Sequence, residues 1–378
     1  MTPLHPLRDL TEDDLRRRTS LKWTLHPGDV LPMFVAEMDA HPVPAVVEAV
    51  ERAVRDGDTG YPFGPEYAEA YGRFAAERWG LAVDPAHTAA VADVMTGMRE
   101  AVRLLSAPGD PVIVNPPVYG PFYDTVARTG RELVAVPLTD VGRLDLEALA
   151  AAYEAVAGRG VHLLCSPHNP TSVVHTLDEL SRLAALAVEH GIRLVVDEIH
   201  APLADDFVPF LSVPGSESAV VSTSASKAFN LAGFKAGLLV FGPEAAQHDL
   251  PRLPAMVGHG CSHLGVIAHV AAFDHGGDWL AGVRADLAEN RALLTELLAT
   301  RVPGLRWNGE AGTYLAWLDG RSLDWAGELA DRLLDRGRVA LSPGSEFGQG
   351  FERFARLNLA TTVELLTAGV ERIERAVG

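Results

Sequence analysis

Short runs of valine, isoleucine and leucine alternate along this chain with stretches whose apolar residues recur every three or four positions. The runs at 110–114, 132–138, 161–165, 192–196, 219–223 and 236–241 read as strands. Helical period fills 146–157 and 180–190 between them. The second of these helices is opened by the capping box Thr176-Leu177-Asp178-Glu179 and stopped by Gly191. Apolar runs linked by helices predict a mostly parallel sheet covered on both faces. In such sheets ligands sit beyond the carboxyl ends of the strands. After about residue 280 the pattern changes. A helix over 279–300 precedes strands within 306–318, a helix near 325–336, a strand at 339–341 and a terminal segment over 354–377. The expected fold class is α/β: a three-layer αβα large domain over 46–280, and a small α+β domain built from 1–45 and 281–378.

Composition narrows the function classes. At 378 residues the chain can bury a large core, and 48% hydrophobic with 22% charged residues is ordinary for a soluble enzyme. A net charge of −18 argues against nucleic acid or an anionic membrane as partner, because both need a basic face. Cys165 and Cys261 are the two cysteines, far apart and outside any metal-binding spacing. That usage fits a reduced, cytoplasmic setting, and no metal is expected. Met1 to Arg18 carries mixed charge without an apolar core, unlike a signal peptide.

Candidate chemistry gathers where strands end. A strand leads into Ser224-Ala225-Ser226-Lys227, followed by a turn through Asn230 and Gly233. That places an amine and small hydroxyls at the mouth of a buried sheet, as a protein carrying pyridoxal phosphate on lysine requires. Asp197 closes another strand and could keep a cofactor ring nitrogen protonated; an ordinary capping aspartate would look the same. Asn169, in Asn-Pro directly after a strand, could donate to a phenolic oxygen or could simply mark a turn. Thr96-Gly97-Met98 ahead of a helical run offers free amides to a phosphate, although many helices begin this way without a ligand. Tyr119 could stack on a flat ring and Arg356 could clamp a carboxylate; a half-buried loop tyrosine and a surface arginine are the plain alternatives.

The ordered set resembles the fold-type I pyridoxal-phosphate enzymes, the aspartate aminotransferase superfamily, over essentially the whole chain. Its stretches are 31–39 (Leu-Pro-Met-Phe-Val-Ala-Glu-Met-Asp), Gly60-Tyr61, 117–122 (Pro-Val-Tyr-Gly-Pro-Phe), Pro167-His168-Asn169-Pro170, Gly277-Asp278-Trp279-Leu280 and Arg356-Leu357-Asn358. Two further strings, Asp197-Glu198-Ile199-His200 and 226–233 (Ser-Lys-Ala-Phe-Asn-Leu-Ala-Gly), resemble the MalY/PatB branch, the cystathionine (cysteine-S-conjugate) β-lyases. The resemblance implies a pyridoxal 5'-phosphate enzyme that cleaves a cysteine S-conjugate to a thiol, pyruvate and ammonia.

It also implies roles. Lys227 would hold the cofactor as a Schiff base, Asp197 face its ring nitrogen, Asn169 its phenolic oxygen and Tyr119 its ring. Gly97, Met98, Ser224 and Ser226 would hold the phosphate. Tyr61 would reach the phosphate of a neighbouring subunit and border its substrate, making a homodimer with shared active sites. Arg356 would bind the substrate carboxylate, with Glu37 nearby. His200 stands where aminotransferases place a tyrosine, and Lys235 where many relatives place a phosphate-binding arginine. Departures from the branch are Glu37 for Asp, Ala40 for an aromatic, Ser172 for Gly, Arg99 as an added cation, and the unmatched segment 258–263. The alternatives are an aminotransferase, oxidative or decarboxylative chemistry on an unusual cysteine conjugate, and a cofactor-bearing regulator. The acidic chain, and a pattern beginning near residue 31, disfavour the last.

Overall fold

A strand that is apolar along its whole length needs cover on both faces, and this requirement shapes the larger of the two compact units into which the chain divides. The computed structural model describes residues 4–378, so the stretch read above from Met1 begins with three residues outside that range. The larger unit comprises Pro42–His168 and Val173–Gly277; the smaller comprises Met1–His41, Asn169–Ser172 and Asp278–Gly378.

Strand β1 (Leu31–Pro32) belongs to the smaller unit. In the larger lie β2 (Thr88–Val91), β3 (Pro111–Val114), β4 (Glu132–Ala135), β5 (Val161–Cys165), β6 (Arg193–Asp197), β7 (Val220–Thr223) and β8 (Gly237–Phe241). They form one sheet in the order β2-β8-β7-β6-β5-β3-β4, with helices on both sides. Pairings from β7 through β4 are parallel, and β8 runs antiparallel to both its neighbours. Every residue of β3, β5, β7 and β8 is buried, whereas the edge strand β4 is largely exposed. The run expected over 132–138 keeps its regular ladder only to Ala135: Val136 N and Leu138 N still donate to Val114 O and Pro116 O, but Pro116 has no N–H to return, and Asn115 Nδ2 donates to Val136 O in its place. The capping box at Thr176 is formed in full, and Gly191 ends its helix at φ 66°.

In the smaller unit follow β9 (Arg306–Trp307), β10 (Leu315–Asp319), β11 (Val339–Ala340), β12 (Ser342–Pro343) and β13 (Phe354–Asn358). An antiparallel sheet runs β12-β13-β10-β9, while β1 pairs in parallel with β11. The single strand expected at 339–341 is thus two short ones serving different sheets. The helix expected from about 325 begins only at Leu329. Gly327, at φ 101°, cannot sit in a right-handed helix, and Trp325 is instead stacked by Arg332, whose guanidinium carbon lies 4.1 Å from its ring centre.

Ser172, one of the departures named above, adopts φ 59°. Its hydroxyl offsets that strain: Oγ lies 2.5 Å from Thr313 Oγ1 and 2.6 Å from the Leu315 carbonyl oxygen, and Ser172 O accepts from Gly312 N. These bonds fasten the tetrapeptide Asn169–Ser172 to the smaller unit. Ser172→Ala should keep the left-handed backbone and lose both side-chain bonds, costing about 1–3 kcal/mol in denaturant unfolding. Ser172→Gly should cost less, because the backbone strain goes with the bonds. Equal losses for the two variants would contradict this account.

Candidate active site

Asp197 is the last residue of β6 and is 4% exposed. Its Oδ1 accepts from Ile199 N at 3.0 Å. Burial pushes its pKa up to about 7, with the Ile199 N–H and the charge of Lys227 pulling the other way. Lys227 therefore lies within electrostatic reach of Asp197. It follows β7 on a turn closed by Phe229 N to Ala225 O and Leu231 N to Ser226 O, with Asn230 at φ 57°. Asparagine tolerates that left-handed position better than most residues. Ser224 Oγ donates to Ala236 O at 2.7 Å and accepts from Ser226 N at 3.1 Å, with Ser226 Oγ 3.0 Å away. Lysine, buried acid and two hydroxyls thus share the ends of β6 and β7, as their strand-end positions imply.

Glu198, next in the chain, is a site residue that the sequence reading passed over. It is 1% exposed, accepts from Phe210 N at 2.7 Å, and burial together with the neighbouring Asp197 pushes its pKa to about 8. Its carboxyl is kept protonated, so Asp197 has no second anion beside it at neutral pH. Tyr119 is half-buried against the main core cluster, and His200 is buried at the start of a one-turn helix, Ala201–Leu203.

The helix behind the phosphate-loop expectation starts earlier than the sequence suggests. The helix begins at Val94, two residues before Thr96, with Asp93 as its cap: Asp93 Oδ1 accepts from Thr96 N at 2.8 Å. Gly97 N is already committed to Asp93 O at 2.9 Å, and Met98 is fully buried in the core. A Cβ at Gly97 would meet Ser222 Oγ at 2.9 Å and Leu239 Cδ2 at 3.0 Å, so this glycine serves close packing of helix on sheet. Of the helix amides ahead of the first intrahelical bond, Thr96 N is taken by the Asp93 side chain, and the others are those of Val94 and Met95. The signal was present in Asp93, which precedes an apolar period of 94, 97, 98, 101 and 102.

Two cofactor candidates are exposed. Lys235 is 59% exposed and pairs with Asp93 Oδ2 at 3.1 Å. Tyr61 is 86% exposed, with His259 of the unmatched segment 258–263 at 6.4 Å between ring centres. His263 of the same segment binds Asp58 at 3.0 Å, so that segment holds the loop carrying Tyr61.

Within the smaller unit, Arg356 on β13 is 5% exposed. Its Nη1 donates to Asn169 Oδ1 at 2.9 Å, and its Nη2 to Phe34 O and Ser342 Oγ, each at 3.1 Å. Asn169 and Arg356 are thereby brought together, and the bond to Oδ1 fixes which end of the amide is the donor. Glu37 is half-buried and accepts from Ser20 Oγ at 2.7 Å. Its backbone is clamped: Lys22 Nζ and Asn358 Nδ2 both donate to Glu37 O, and Lys22 pairs with Asp39 at 2.7 Å with both side chains 1% exposed. Among the described residues no helix is long and apolar enough to cross a membrane.

This combination of a mostly parallel sheet, a strand-end lysine and a buried acid defines a class, and residues 29–373 match the family described as aminotransferase class I and II. The chain belongs to that family. It is 48% identical, over 99% of its length and 98% of the relative's, to a Mycobacterium tuberculosis protein provisionally named a cystathionine beta-lyase. It is 33% identical to the cystathionine beta-lyase of Corynebacterium glutamicum, covering 96% of this chain and 97% of that one. The crystal structure of a provisionally assigned PLP-dependent beta-cystathionase from Corynebacterium diphtheriae superposes with a TM-score of 0.91 at 33% identity, covering 98% and 99% of the two chains.

Asp197 and Glu198 hold protons that an unfolded chain would release near the ordinary values of 3.8 and 4.5. Raised folded values mean that the stabilisation is complete below those ordinary values. It is lost as pH rises through about 7 and about 8. The cofactor-free protein should therefore lose melting temperature over that interval, and Glu198→Gln should flatten the upper part of the fall. A melting temperature that rises across the interval in calorimetry would contradict the assignment.

Proposed function

We propose that this protein uses pyridoxal 5'-phosphate to cleave the carbon–sulfur bond of cystathionine or a related cysteine S-conjugate, yielding a thiol, pyruvate and ammonia. The observation that carries the reading is the Lys227–Asp197 arrangement: an amine within electrostatic reach of an acid whose burial leaves it poised to ionise against a cation. Names carried by the M. tuberculosis and Corynebacterium relatives support the same chemistry.

The residues present fit the cofactor. Lys227 supplies an amine for its aldehyde, and Ser224, Ser226 and the first amides of the Val94–Leu105 helix supply donors for its phosphate. When bound, the cofactor acts as an electron sink for the substrate's Cα. Asp197 would be the acid that keeps the ring nitrogen protonated, and a cation there would stabilise its ionised form despite burial. Lys227 Nζ would take the proton from Cα while the C–S electron pair leaves with sulfur as a thiolate; the enamine left behind adds water to give pyruvate and ammonia, and the thiolate takes up a proton. Tyr119 would support the ring by stacking. Within the smaller unit Arg356 holds Asn169 by Oδ1, which leaves the amide NH2 for an acceptor, and its guanidinium would suit a carboxylate.

The larger unit carries the lysine and the acid, and we assign it the cofactor. Tyr61 at 86% and Phe63 at 97% exposure suit burial against a second copy of the chain, supporting a homodimer whose sites are shared. Two buried free cysteines are in keeping with a cytoplasmic setting.

Membership of the aminotransferase class I and II family favours transamination as the second reading. Purified protein mixed with cystathionine, in the absence of any keto acid, should release pyruvate. Lys227→Ala should abolish both the release and the visible absorbance of lysine-bound cofactor. Amino-group transfer that requires added keto acid, without thiol release, would replace the lyase reading with the aminotransferase one.

A further inference from the structure

Asp93 brings a negative charge to the helix terminus at which the cofactor reading places a phosphate. Its Oδ1 caps Thr96 N at 2.8 Å, and its Oδ2 meets Lys235 Nζ at 3.1 Å. The neighbourhood is tight. A Cβ on Gly237, two residues beyond Lys235, would lie 3.2 Å from the Asp93 carbonyl carbon and 3.3 Å from Val94 N. The intervening Ala236 O accepts from Ser224 Oγ at 2.7 Å, and Lys235 O accepts from Ser262 N at 2.8 Å. The start of β8 thus sets Lys235 against Asp93 beside the hydroxyl cluster. Although burial opposes it, bonds from Thr96 and Lys235 hold the Asp93 carboxyl below its ordinary pKa, so it is anionic at neutral pH.

A carboxylate at a helix start suits the helix dipole while no other anion is present. Beside a phosphate it becomes a like-charge neighbour within one Debye length. We propose that Lys235 acts as the counter-charge of Asp93, cancelling this built-in anion so that the Val94–Leu105 helix terminus can accept the cofactor phosphate, rather than serving as a direct phosphate ligand. The inference rests on the pyridoxal-phosphate reading above and makes Lys235 a positioning residue. Its side chain is 59% exposed and already paired, which suits a screening partner better than a buried clamp.

The roles separate in a double-mutant cycle read by pyridoxal 5'-phosphate binding, titrated by fluorescence onto the cofactor-free protein. Asn caps helices about as well as Asp, so Asp93→Asn retains the fold while removing the charge. Lys235→Gln alone should weaken binding roughly tenfold or more, the scale of one partly screened charge contact. The same change in the Asp93→Asn background should cost less than about threefold, and Lys235→Arg should restore affinity. Raising ionic strength should narrow the gap between wild type and Lys235→Gln. An equal loss in both backgrounds makes Lys235 a direct phosphate ligand and overturns the inference while leaving the cofactor reading intact. Wild-type protein that takes up no cofactor overturns both.

Discussion

Removing the Asp197 carboxylate from water is the constraint around which the larger unit is arranged. A buried acid must lose its charge or find a cation. This one is held between those outcomes, at a pKa near neutrality, by burial on one side and by Lys227 and the Ile199 N–H on the other. The neighbouring Glu198 is kept protonated deeper into the alkaline range and makes its own bond to Phe210 N, so it does not compete for the same cation. An amine that is to work as a base has to surrender its charge. Another cation must then take over as partner of the acid, and in the proposed reaction a protonated ring nitrogen would supply it. The sheet makes this exchange possible because β6 and β7 are adjacent and parallel, so their carboxyl ends open on one side.

Much of the fold was legible because buried parallel strands leave a coarse signature. Runs such as Val161–Cys165 and Gly237–Phe241 have no polar face, and helix signals such as Thr176 to Gly191 are local chemistry that tertiary contacts need not supply. Two-residue strands left no comparable trace. β11 and β12 are adjacent in sequence yet pair in different sheets, a choice made by partners far along the chain. Ser172 shows the same limit from another side: its left-handed backbone is supported by Thr313 and Leu315, about 140 positions away, and no local pattern announces them.

The site divides along the same line. Lys227 and Asp197 could be read because each lies at or just past the end of a strand-like run, where burial gives chemistry to a residue that would be mute on the surface. The helix start was misplaced because the glycine at 97 drew attention from the aspartate at 93, although the aspartate makes the cap. Lys235 was legible as a cation but not as half of a pair, since its partner lies 142 residues earlier. Arg356 and Asn169 likewise needed the fold to reveal their bond.

The stretch from Val35 to Ala40 is fastened at nearly every step. Asn358 holds the carbonyls of Val35 and Glu37, Tyr314 that of Ala36, and Arg18 those of Met38 and Ala40, while Lys22 and Trp23 both grip Asp39. In the proposed reaction this stretch would border the substrate, and a wall built in this way would sort what reaches it by shape and charge fixed in advance. Drift toward a bulkier sulfur compound would then have to pass through loosened anchors, each of which also holds up the fold, so that selectivity there would be tied to folding stability.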